Sequence, residues 1–141
     1  MTAENAIRLS PSGPYTANVM RSVARTSASP PNTHLLAGAD VTIPLLADSG
    51  AEAAVANLTA ALVIQETSGA PNSVLVEWII GGAGIASPLL QDLTASKASA
   101  IAYPAIVLLS PHQSISLRVT AGAGGLTLEP NGLICAQLTA S

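Results

Sequence analysis

The chain has 141 residues, of which 49% are hydrophobic, 9% charged and 2% aromatic, with a net charge of −3. An average soluble domain carries roughly 25% charged residues, so this chain has little with which to clothe its surface, and other protein is expected to cover much of it. The small acidic charge excludes the basic footprint of a nucleic-acid binder, the single cysteine excludes an internal disulfide framework, and the longest weakly polar run, Ala98–Leu109, falls short of the roughly 20 residues of a membrane-spanning helix.

Residues 1–33 read as an extended N-terminal arm. Pro11-Ser12-Gly13-Pro14 and Pro30-Pro31-Asn32 favour irregular or extended chain, because proline fixes its own φ and pushes the preceding residue extended. Tyr15–Arg25, between them, reads equally as strand or helix. The arm holds Arg8, Arg21 and Arg25 against Glu4, a net of +2, whereas the remainder holds Lys97 and Arg118 against seven acids, a net of −5. A basic arm on an acidic body points to docking elsewhere, Arg8, Arg21 and Arg25 pairing to acids and Tyr15 anchoring. The alternative is a terminus without structure of its own. Met1–Ser10 carries Glu4 and Arg8 and no apolar run, so no secretory signal peptide is expected.

Residues 34–141 read as one all-β domain, a jelly-roll-like sandwich. Val41–Leu45 is a first strand, with Pro44 marking an edge or a bulge. Leu58–Gln65 alternates Leu58, Ala60, Leu62 and Ile64 on one face, although alanine-rich Ala51–Ala61 is also compatible with a turn or two of helix. Ser68–Asn72 is a turn. Val74–Ile80 places Val74, Val76, Trp78 and Ile80 on one face and ends at Gly81-Gly82-Ala83-Gly84. Ser99–Leu109 is an apolar strand, and Ser114–Thr120 sets Ile115, Leu117 and Val119 against Ser114, Ser116 and Arg118. Leu126–Leu128 and Leu133–Thr139 close the domain. Short period-two segments bounded by Gly and Pro indicate a sandwich or jelly roll. Trp78, Ile115, Leu117 and Val119 are the core and oligomer candidates.

Few motifs carry chemistry. Asp48-Ser49-Gly50-Ala51 resembles the signature of retroviral-type aspartic proteases, in which two subunits each supply one aspartate. The competing reading is a loop, where Asp, Ser and Gly are the usual turn formers. The glycine-rich stretches at 81–84 and 122–125 lack the Lys-Ser/Thr of a phosphate loop. His34 and His112 have no partner at metal-ligand spacing, so neither a metal nor a cofactor is expected. Cys135 lies in an apolar strand and reads as an inert buried thiol.

The segment Ser110-Pro111-His112-Gln113-Ser114-Ile115-Ser116-Leu117-Arg118-Val119, followed by Leu126-Thr127-Leu128 and Gly132–Leu138, resembles the closing strands of C1q/TNF-like jelly rolls, and Val76–Gly82 resembles a middle strand ending in a hairpin. The resemblance spans about residues 36–141 and departs from the family in its shortage of aromatic residues. It implies a compact trimer, and similar trimers with N-terminal arms serve as cement or decoration proteins on tailed-phage heads. The implied function is non-enzymatic: a virion structural protein on the capsid exterior that trimerises and clamps neighbouring major capsid proteins, with neither nucleic acid nor membrane as partner. The alternative is a receptor- or glycan-binding tip domain of a fibre or filament.

Overall fold

The computed structural model describes residues 23–85 and 87–140. Eleven strands occur among them: β1 (Val23–Ala28), β2 (Thr33–Leu35), β3 (Asp40–Leu46), β4 (Ala54–Glu66), β5 (Asn72–Ile80), β6 (Ala83–Gly84), β7 (Leu89–Leu93), β8 (Ala98–Leu109), β9 (Ile115–Ala121), β10 (Leu126–Leu128) and β11 (Leu133–Ala140). They form two antiparallel sheets stacked as a sandwich. In the six-stranded sheet β4 is the hub, flanked by β8 on one side and by β11 and β10 on the other, with β1 and β2 outermost. The five-stranded sheet runs β3-β9-β5, with β6 and β7 both paired to β5.

The pairing is nested. β1 pairs with β11, β2 with β10, β3 with β9, β4 with β8 and β5 with β7, around β6. The chain is thus one long antiparallel hairpin rolled onto itself, the jelly-roll arrangement. Its tip is the two-residue turn Gly81-Gly82, with φ of 61° and 88°. A hairpin turn of this hand needs positive φ at both central residues, which glycine adopts at least cost.

The hydrophobic pattern dictates which side of each strand faces inward. In β4, Ala54, Ala56, Leu58, Ala60, Leu62 and Ile64 are buried, and in β9 Ile115, Leu117 and Val119 are. Trp78 from β5 and Tyr103 from β8 stack across the sandwich with ring centroids 6.1 Å apart. The Tyr103 hydroxyl donates to the Ser87 carbonyl at 2.6 Å, and the Thr26 hydroxyl donates to the Leu45 carbonyl at 3.2 Å, tying β1 to the opposite sheet.

Three features differ from the sequence-based expectations. Among the described residues the sheet begins at Val23, so residues 23–33, read as part of the arm, supply β1 and the first residue of β2, while residues 1–22 lie outside the described residues. Ala54–Ala61 is strand and not helix, because its small side chains pack in the interior as alternate residues of β4. Cys135 is partly exposed, because its neighbours Ile134 and Ala136 take the inward positions. Pro44 sits on the edge strand β3 at a register shift between Pro44 and Leu46, the bulge its missing N–H favours.

Candidate interaction face

The two outer faces of the sandwich differ in chemistry. The five-stranded sheet presents Asp40, Thr42, Ser116, Arg118, Glu77 and Asp92. Arg118 bonds Glu77 through Nε at 3.0 Å and through its NH2 group at 2.9 Å. This face is charged and polar around that pair, with Leu75, Ile79 and the exposed Leu90 as its apolar members.

The six-stranded sheet is different. The outward positions of β8 are Ala98, Ala100, Ala102, Pro104, Ile106 and Leu108, with no polar side chain among them. Ile106 is 73% exposed and Leu108 80%. Register places Ala102 beside Ala61, Pro104 beside Thr59, Ile106 beside Asn57 and Leu108 beside Val55. The next strand adds Leu133, Cys135, Gln137 and Thr139. Arg25 on β1, whose guanidinium donates to Gln137 Oε1 at 3.0 Å, is the only charged side chain on the outward positions of β8, β4, β11 and β1 among the described residues, and it stands at the margin. The face is thus apolar along β8 and mixed along β4 and β11, where Asn57, Thr59 and Gln137 stand, and its near-absence of charge matches the core of a protein-binding surface.

Relief on this face is uneven. A hollow of about 310 Å³ lies over Ala61, Ala100 and Ala102, bordered by Val63 and Leu133. Ile106 and Leu108 stand proud further along β8. Pro104 interrupts the row of donors on this edge strand, a feature that discourages strand addition along the edge.

The sequence-derived site residues are distributed as follows. Arg8, Tyr15 and Arg21 lie outside the described residues, and Arg25 borders the apolar face. Trp78, Ile115, Leu117 and Val119 lie inside the sandwich, none more than 1% exposed, and offer no surface to a partner. Sequence reasoning missed Ile106 and Leu108 as surface residues, because β8 is apolar at odd and even positions alike and period two assigns it no inner side.

Asp48 accepts the Gly50 N–H at 2.9 Å and is bonded to His112 Nδ1 at 3.1 Å. The Gly50 N–H and then His112 hold the Asp48 carboxyl below its ordinary range. The Ser49 hydroxyl accepts the Gln113 N–H at 2.9 Å, and the Gly50 carbonyl accepts the His112 N–H at 2.8 Å. These contacts fasten the β3–β4 loop to the β8–β9 loop. Among the described residues no group of three or more His, Cys, Asp or Glu is placed to hold a metal ion.

No protein-family model matches the chain, and no curated protein matches it. Among solved structures it is similar to a chain of the T=1 particles derived from infectious bursal virus, with a TM-score of 0.52 and 13% identity, over 82% of this chain and 31% of that one. A chain from the structure of infectious bursal disease virus, Gx strain, gives a TM-score of 0.49 and 18% identity over 84% of this chain and 32% of that one. The present chain therefore spans about a third of the length of these neighbours. At such identity the likeness is one of fold.

Proposed function

We propose that this chain is a non-catalytic virion structural protein: a capsid cement or decoration protein, of the kind tailed phages carry, that forms a homotrimer on the capsid exterior and clamps neighbouring major capsid proteins. The carrying observation is the broad uncharged face on a jelly-roll sandwich. The fold likeness to the chain in the infectious bursal virus T=1 particles supports the same reading. Neither a nucleic acid nor a membrane is needed as partner.

The role is mechanical. Residues 1–22 precede β1, and in this reading Arg8, Tyr15 and Arg21, together with Arg25 at the root of the arm, engage the shell. Contacts of modest strength sum because each later one is made from a tethered state. The test is rebinding to capsids of the virus that encodes the chain, stripped of it beforehand. Full-length protein is expected to bind saturably and to raise the temperature at which the shells open. A chain lacking residues 1–22 is expected to remain folded and to lose that binding. Full-length protein that neither binds the shells nor is found in purified particles overturns the reading.

A further inference from the structure

The apolar face carries both halves of a contact. Ile106 and Leu108 project from it, and the alanine-floored hollow at Ala61, Ala100 and Ala102 is sunk into it. We infer that second copies of this chain cover this face, the Ile106–Leu108 ridge of one copy seating in the alanine hollow of the next. The inference rests on the proposed self-association and names the surface that makes it.

Size and charge single out a second copy as the occupant. β8 is twelve residues long and the sheet is four strands wide across β8, β4, β11 and β1. The four strands hold 12, 13, 8 and 6 residues, and at a rise of about 3.4 Å per residue and a spacing of about 4.8 Å per strand the face covers on the order of 640 Å², somewhat below the roughly 800 Å² per partner of a standard stable interface. The face lacks acids, and its one cation lies at the margin beside Gln137, so two copies meet without like charges opposed at the centre. Ridge and hollow occur on one surface, so copies of one chain supply both. Pro104 blunts the edge of β8, which leaves the face as the contact.

Full-length protein, examined by size-exclusion chromatography with light scattering, is expected at three times the 14.0 kDa chain mass. The pair Ile106→Lys and Leu108→Lys, at highly exposed positions, is expected to give a 14.0 kDa species with an unchanged β-sheet circular dichroism spectrum. Ala102→Trp fills the hollow and is expected to dissociate the assembly independently, which keeps the test decisive if the lysine pair fails to fold. Leu90→Lys, 66% exposed on the opposite sheet, is expected to leave the mass unchanged. Cys135, the sole thiol, lies on the covered face, so its reaction with a thiol reagent is expected to rise at least tenfold in the dissociated variants. If the lysine pair and Ala102→Trp keep the wild-type mass and thiol rate, the face is wrongly assigned while self-association stands. A monomeric wild-type protein overturns both.

Discussion

Glu66 is the most demanding residue in the interior. It is 1% exposed and carries a carboxylate, a group whose burial is costly unless hydrogen bonds surround it. Its oxygens accept the Ser68 N–H at 2.8 Å, the Gly69 N–H at 3.0 Å, the Ser96 N–H at 2.9 Å and the Asn72 amide at 3.4 Å, together with the Ser68 hydroxyl. With the Ser68 hydroxyl contributing most, followed by the Ser96 N–H, these donors lower the carboxyl from 4.5 to about 2. The unfolded chain therefore binds the proton more tightly than the folded one. The stabilisation is present in full above pH 4.5 and lost as the pH falls toward about 2. Glu66→Gln is expected to be less stable than wild type at neutral pH, with the gap closing across that window, as read by denaturant midpoints at a series of pH values. Trp78 poses the opposite case, since its buried Nε1–H has no hydrogen-bond partner. Trp78→Ala is expected to cost about 3–5 kcal/mol in chemical denaturation. Trp78→Phe is expected to cost much less, because it keeps a ring against Tyr103 and removes the orphaned donor.

At the scale of elements, the legibility of each strand followed its partnering. β9 was readable because one side meets the core and the other does not, so Ile115, Leu117 and Val119 alternate with Ser116, Arg118 and Thr120. β4 and β5 were readable from the in-phase rows Leu58, Leu62, Ile64 and Val74, Val76, Trp78, although Val55 and Val63 of β4 and Leu75 and Ile79 of β5 stand at outward positions. The bulge at Pro44 was readable because proline lacks a donor. β1 was not: Val-Ala-Arg-Thr-Ser-Ala has little apolar alternation, and it is strand because β11 offers it a ladder from Val23↔Thr139 to Ala28↔Ile134. β8 was legible as a strand but not in its orientation. The same logic sets where truncation is tolerated. Removing residues 1–22 is expected to leave thermal stability near wild type, whereas removing residues 1–33 strips β1 and exposes the edge of β11. The longer truncation is expected to melt lower and to scatter light on standing, as unpaired edges do. At the hairpin tip, Gly82→Ala is expected to cost about 1 kcal/mol from backbone strain alone, since its φ is 88° and an added Cβ meets no atom within 4 Å.

For the molecule as a whole, the nested pairing makes nearly every ladder join distant parts of the chain. Loops must close before such contacts form, so refolding is expected in the range of about milliseconds to seconds. Trp78, the sole tryptophan and fully buried, reports it by fluorescence in a stopped-flow experiment. The strand order was not legible in the sequence, because any of several antiparallel orders satisfies the same alternation. The candidate face was legible only as a shortage of charge. Its position required the register of β8 on β4. The nest also places the first rung of the outermost ladder, Val23↔Thr139, at the point where residues 1–22 join the body. Tension pulled through that segment away from the sheet meets the rungs one at a time, as on a zip. The six residues of β1 then peel away before the core is loaded and release about 20 Å of chain. Under such load the seam is expected to act as a mechanical fuse that yields in small steps, each recoverable while the core stays closed.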